Sequence, residues 1–200
     1  MSAKPYEIIA APFKAYLAPV GEAFPDVDTT PAGNWVLLGT SGDKNITEEG
    51  VTVSHPQTLE MIRMLGSTGP LKAVRTEEDL MISFVLADMS LEHYKHSLNL
   101  GTVTDVAAGA GTPGYRHLPI RRGLDISERA LLLRGPSPYG EGWNMQYEVP
   151  RVVHSGEPEV VFVKGEAAGL LMEFMALEDP DAASENLRFG RIVAQDATAV

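Results

Sequence analysis

Residues 77–99 read EEDLMISFVLADMSLEHYKHSLN, and the period of the apolar residues changes midway. Leu80, Ile82, Phe84 and Leu86 fall on one face of an extended segment and Met81, Ser83, Val85 and Ala87 on the other, which predicts a strand mostly covered on both sides. Asp88 and Ser90 then supply N-cap candidates, and Glu92 places an anion in the first helical turn. Leu91, Tyr94 and Leu98 recur at helical spacing, so a short amphipathic helix follows the strand and ends at Leu100 and Gly101. With the tail at 173–195, EFMALEDPDAASENLRFGRIVAQ, this stretch points to a β-rich subunit built to join copies of itself.

Upstream, residues 6–19 have strand-like content interrupted by Pro12, which predicts an edge strand or an extended arm. A turn-rich link at 26–31 leads to an apolar strand at 35–38. Residues 40–50, TSGDKNITEEG, are polar and read as flexible, after which Val51, Val53 and His55 alternate. A long hairpin is the natural continuation. Its tip falls at 66–70, GSTGP, between 61–65 and 71–74.

Downstream, 101–124 is rich in Gly and Pro and reads as a long loop. Strands are expected at 130–133, 143–151, 159–164, 169–177 and 187–194, with Gly140, Gly142, Gly156 and Gly165 marking turns. Eight or nine strands and one helix predict a mainly β fold, a β-sandwich or partial barrel with one flanking α-helix.

The 200 residues suit one domain, and a hydrophobic fraction of 44% is enough for a sizeable core. With no Cys, a disulfide framework, a thiolate metal site and a Cys nucleophile are all excluded. Sixteen Lys and Arg against 27 Asp and Glu give a net charge of −11, which opposes the phosphate neutralisation that tight DNA binding needs. The apolar run 8–20 contains Pro12, Lys14 and Pro19 and lacks a basic cluster before it, so no secretory signal is expected there. No stretch approaches the roughly 18 to 20 apolar residues of a membrane helix. A soluble product made in the cytoplasm is the expectation.

Candidate sites are few. Gly109-Ala110-Gly111-Thr112-Pro113-Gly114 matches G-x-G-x-x-G literally, but it neither closes an expected strand nor opens an expected helix. His93 and His96 lie three apart on the expected helix, a spacing open to metal ligation, although solvated histidines beside Lys95 are the commoner arrangement. His55, His117 and His154 are scattered, and no nucleophile motif accompanies them. The acid pairs Glu48–Glu49, Glu77–Glu78–Asp79 and Glu157–Glu159 suit exposed hairpin ends. Arg116, His117, Arg121 and Arg122 form the one basic cluster, able to grip a phosphate but better suited to an acidic neighbouring subunit. Asn45-Ile46-Thr47 matches a glycosylation sequon. No catalytic residue, cofactor or metal ligand is assigned, and no enzymatic activity is expected.

The ordered blocks WVLLGT at 35–40, GVTV at 50–53, TEEDLMISFVLADMSLEHYKHSLN at 76–99 and MEFMALEDPDAASENLRFGRIVAQ at 172–195 resemble the major tail tube proteins of long-tailed, siphovirus-type bacteriophages and related phage-derived particles. The resemblance spans 35–195. It implies one domain over 1–200, with an N-terminal strand or arm at 1–20, a flexible stacking loop at 40–50, an insertion loop at 101–124 and a C-terminal strand and tail at 187–200. It further implies six copies closing into a ring, each completing a closed inner β-barrel with its neighbours, and rings stacking into a hollow conduit for double-stranded DNA. Expected partners are other copies of the chain, a tape-measure protein in the lumen, a tail terminator and distal tail proteins, in a virion tail assembled in the bacterial cytoplasm.

Physical chemistry adds specific expectations to that resemblance. Long unpaired strand edges invite pairing with another chain, and a ring closed by such pairing leaves no free edge. Ring stacking is assigned to the N-terminal arm and to Ser41, Gly42, Asp43, Lys44 and Asn45. Glu60, Glu77, Glu78 and Glu148 are the acidic candidates for the lumen, where an anionic wall would keep DNA sliding. Arg116, Arg121 and Arg122 are the candidates for subunit contact. The alternative from another class is a β-sandwich binding module for carbohydrate recognition or adhesion, against which Trp35 and Trp143 both read as core.

Overall fold

The alternation at 80–86 decides the centre of the architecture. In a computed structural model describing residues 8–9, 11–42, 44–98, 101–165 and 168–198, Met81–Leu86 is a strand whose even-numbered side chains are buried and whose odd-numbered ones are half-buried. The strands in chain order are β1 (Lys14–Ala18), β2 (Val36–Leu37), β3 (Ile46–Ser54), β4 (Gln57–Ile62), β5 (Lys72–Glu78), β6 (Met81–Leu86), β7 (Thr104–Val106), β8 (Tyr115–His117), β9 (Arg129–Pro136), β10 (Asn144–His154), β11 (Leu170–Ala176) and β12 (Arg191–Ala194). The fold is mainly β. Eight strands form one large antiparallel sheet in the order β2-β1-β9-β10-β11-β6-β3, with β12 also paired to β10. β4–β5 and β7–β8 are separate two-stranded hairpins.

β10 joins the two sides of the sheet. Its first half lies between β9 and β12, its second half pairs with β11, and the β9 register shifts between Val149 and Val152. Pro150 sits in that bulge, where a residue without an N–H costs the ladder least. The Arg151 side chain reaches from the same point to Glu128, at 2.7 and 2.9 Å, and to the Glu178 carbonyl at 2.9 Å.

One apolar cluster runs along a single face from Ala15 and Leu17 through Leu131, Leu133, Val149 and Val152 to Met172, Phe174, Ile82 and Phe84. Full burial of each such side chain is worth about 1.5–3 kcal/mol. The opposite face of β1 and β9 carries Tyr16, Ala18, Ala130 and Leu132, covered by Trp35, Phe24 and Leu37. Covering on both faces explains the uninterrupted Leu131-Leu132-Leu133 run.

Several expectations are corrected. The helix is a single turn, α1 (Leu91–Tyr94), continued by a 3-10 turn over Lys95–Ser97, and Leu100 lies outside the described residues. Ser90 stands at the N-cap but makes no side-chain cap bond, while Asp88 is drawn to Thr40 instead. β1 is no edge strand: it pairs on both sides, because its apolar residues belong to both clusters. The arm expected before it falls largely on residues 1–7 and 10, outside the described residues. Residues 159–164 form no strand, only an isolated Val160–Leu170 bridge, and the 101–124 loop contains the β7–β8 hairpin.

Candidate assembly surface

β3 and β6 pair within the sheet, and the same hairpin continues beyond it as β4 and β5. The root is His55–Pro56 against Asp79, whose amide bonds the Pro56 carbonyl at 3.0 Å. Beyond it all thirteen strand residues are exposed, six in β4 and seven in β5. Register places Leu59 opposite Arg75 and Met61 opposite Ala73 on one face, and Glu60 opposite Val74 and Ile62 opposite Lys72 on the other. A bulge between Thr58 and Leu59 twists the arm near its base. The tip runs from 63 to 71 and contains the turn residues expected at 66–70, but its hydrogen-bonded turn lies earlier, at Met64–Ser67, closed by the Ser67 amide on the Met64 carbonyl.

The arm is apolar for a piece of surface. Leu59, Met61, Met64, Leu65 and Leu71 are 43 to 108% exposed. A lone two-stranded hairpin is marginal in water, and a contiguous apolar surface marks a contact site. Glu60, Glu77 and Glu78 all stand on this arm. Glu77 accepts from the Thr58 hydroxyl at 2.8 Å, and Glu78 pairs with Arg75 at 3.1 Å.

Glu148 does not belong with them. It is 4% exposed, bound by Arg191 Nε at 2.6 Å and by the Gln146 amide at 2.7 Å. The alternation of β10 sends it inward, where Arg191 of the paired β12 neutralises it. As a lumen-facing carboxylate of the single chain it is therefore corrected.

The loop expected at 40–50 is shorter: residues 46–50 belong to β3, and the part before it is tied down by hydrogen bonds. Asn45 is buried, accepting from the Ser41 amide at 2.6 Å and donating to the Gly42 carbonyl at 2.7 Å. Gly39 takes φ +101° so that the chain passes over that side chain. Its amide donates to His93 Nε2 at 3.2 Å, and the Thr40 amide and hydroxyl both donate to Asp88. The Thr40 hydroxyl bond, first, and the amides of Thr40 and Ser90 hold the Asp88 carboxyl below its ordinary range, against the opposing effect of burial. Ser41, Gly42 and Lys44 project from this rigid base, Asp43 lies outside the described residues, and Asn45 is an internal peg. Both ends of its amide are engaged, which leaves the sequon without an accessible acceptor.

The basic cluster is divided. Arg116 binds Glu92 of α1 at 2.7 Å and Asp105 at 3.4 Å, pinning β8 to the helix. These groups are about half exposed, so the pairs orient the hairpin more than they stabilise it. Arg121 and Arg122 are both exposed, and Arg122 donates to the Ser97 and Gly156 carbonyls. The G-x-G-x-x-G stretch forms the hairpin tip, where Gly109 and Thr112 bond each other and no helix follows. A phosphate cradle is not formed.

His93 and His96 do not act as a pair. His93 spends Nε2 on Gly39, and among the described residues no group of three or more His, Asp or Glu is placed to hold a metal. Among them, too, no helix is long and apolar enough to cross a membrane. Trp35 is core, its Nε1 donating to the Ala23 carbonyl at 2.9 Å, while Trp143 is half-buried against Gly140 in the turn before β10.

The class defined by these features is a mainly β chain with one large antiparallel sheet and an uncovered apolar arm. No family model matches the sequence, and no curated protein matches it either.

Proposed function

We propose that this chain is a self-assembling structural protein, the repeating subunit of a phage-type tail tube, without enzymatic activity of its own. The observation that carries the reading is the β4–β5 arm: thirteen strand residues stand outside the sheet with both faces in solvent. An extended arm with open edges and exposed Leu and Met gains stability by pairing with a like arm.

In this reading the large sheet acts as the sandwich or partial barrel of each subunit, and arms from six copies close side by side into an inner barrel. Glu60, Glu77 and Glu78 then line a bore through which double-stranded DNA passes without being held. Ser41 and Lys44 on the rigid 39–45 loop contact the next ring, and Arg121 meets an acidic neighbour. The lumen holds a tape-measure protein before DNA release, and terminator and distal tail proteins close the ends. The finished particle is a virion tail assembled in the bacterial cytoplasm.

Sedimentation velocity and negative-stain electron microscopy of the purified chain test this directly. Rings or tubes with a central channel are expected. A chain that stays monomeric at high concentration, and stays so when mixed with a tail-tip nucleator, would overturn the proposal.

A further inference from the structure

The β3–β6–β11 ladder carries a different exposed surface at each end. The arm leaves from the end where Ser54 pairs with Met81, whereas at the other end Leu86 pairs with Leu170 and Val160 bridges to that same Leu170. The six residues of β6 lie between, which at about 3.3 Å each sets the two surfaces on the order of 20 Å apart before the length of the arm is added. The arm does not fold back over that distance, since every residue of β4 and β5 is exposed.

The first surface is the arm tip. Between Glu60 and Glu77 the chain carries Arg63, Lys72 and Arg75 and no acid, in a molecule of net charge −11. Arg75 is already paired with Glu78 towards the base of the arm. Arg63 donates to the Thr68 carbonyl at 3.2 Å, so its charge, like that of Lys72, is not neutralised by any described carboxylate. Around these two cations Met64, Leu65 and Leu71 stand in solvent.

The second surface is residues 157–163, EPEVVFV. Glu157 and Glu159 are exposed, Val160 packs against the core, and Val161, Phe162 and Val163 face solvent, Phe162 being 80% exposed. Three strand-forming residues in a row thus join no strand, and Lys164 stands beyond them in the following turn. An apolar strip beginning in two acids complements an apolar tip that holds two cations. Two like tips would bring Arg63 and Lys72 against their own kind, and an anionic lipid surface would leave the strip uncovered. A second copy of the chain covers both surfaces at once.

We propose that the arm tip of one copy docks on residues 157–163 of the next, Leu65 and Leu71 lying against Val161 and Phe162, and Arg63 and Lys72 facing Glu157 and Glu159. Because the two surfaces sit at opposite ends of one ladder, the contact is head to tail, and a row of copies keeps one free tip and one free strip. The 39–45 loop lies at the strip end as well, where the Ala87 amide donates to the Asn45 carbonyl and Ile46 pairs with Leu86. The inference rests on the self-assembly reading and adds to it the surface that receives the arm.

The test reverses each surface separately in the full chain. Variant one is Glu157→Lys, Glu159→Lys and variant two is Arg63→Glu, Lys72→Glu, all four at exposed positions. In sedimentation velocity each alone should associate at least about tenfold more weakly than the parent, and an equimolar mixture should return to within about threefold of it, since each tip then meets a strip of opposite charge. Lys72→Glu alone replaces variant two if near-ultraviolet circular dichroism shows that losing the Arg63 bond disturbs the fold. The chain has no Cys, so Leu65→Cys and Phe162→Cys variants, mixed and oxidised, should give a crosslinked dimer that neither gives alone. Reversed variants that associate like the parent, a mixture no better than its parts, or an absent crosslink would each overturn the docking while self-assembly stands. A parent that stays monomeric would overturn both, and its flotation with phosphatidylglycerol vesicles would assign the tip to a lipid surface instead.

Discussion

Residues 72–78 and 81–86 are consecutive strands of one hairpin arm, yet every side chain of the first is exposed while every second side chain of the second is buried. Both are antiparallel strands. β6 has β11 and β3 beside it and the core cluster on one face, whereas β5 has only β4. Within this chain, then, hydrogen bonding sets the direction of the hairpin and burial decides which half the chain itself stabilises. The outer half is left for another surface to stabilise.

The sharpest test of that contrast is on the sheet side. Phe84 is 3% exposed and packs on Phe174 at 6.1 Å between ring centroids. Phe84→Ala should lose about 3–5 kcal/mol in urea unfolding, and a loss below about 1 kcal/mol would deny the sheet its role as the stable body.

Next in size is Gly39→Ala, where a Cβ would stand 2.2 Å from Asn45 Cγ at φ +101°. A cost of about 1–3 kcal/mol is expected, seen as a lowered melting temperature. Unchanged melting would show that the 39–45 loop is not the rigid base described.

Asp88→Asn should cost less, about 1 kcal/mol, since the side chain is only half-buried and its bonds to Thr40 are partly screened by solvent. The pH dependence has a definite sign. A carboxyl lowered in the folded state contributes fully above its unfolded value of 3.8, and the contribution is lost as pH falls through the lower folded value. Protection of the Thr40 amide, taken relative to its intrinsic exchange rate at each pH, should fall over that acid window, and unchanged protection would contradict the clamp.

Smallest in stability is the arm itself. The double variant Leu59→Ser, Met61→Ser should change unfolding free energy by no more than about 0.5 kcal/mol, because these side chains are 43 and 45% exposed. Sedimentation should nevertheless show self-association lost. A variant that assembles like the parent would remove the arm from the interface.

What the sequence made legible was local. The alternation at 80–86 and the hairpin tip around 66–70 are each written within a few residues, and both stand in the structure. Misread features depend on distant partners. The helix at 91–97 is short because Tyr94 and Ser97 are fixed by packing and turn bonds, which periodicity does not register. Glu148 looked like surface because Arg191, 43 residues on, is what makes its burial tolerable. Residues 40–50 looked flexible from composition, but 46–50 pair as part of β3 and the chain at 39–40 is anchored on Asp88 and His93. Residues 159–164 have strand-like side chains without a strand to pair with, and Val161, Phe162 and Val163 remain exposed.

The three-way pairing of β10 has a mechanical consequence. Within the strand ladder the β1–β9 side of the sheet and the β11–β6 side meet only in β10, residues 144–154, while a second link runs outside the ladder from Thr40 to Asp88. The ladder is thinnest at Pro150, and Arg151 stitches that gap by tying Glu128 on one flank to the Glu178 backbone on the other. The same gap is also spanned by the backbone, where the Leu177 amide donates to the Arg151 carbonyl at 2.9 Å, so residue 151 holds both flanks by side chain and main chain together.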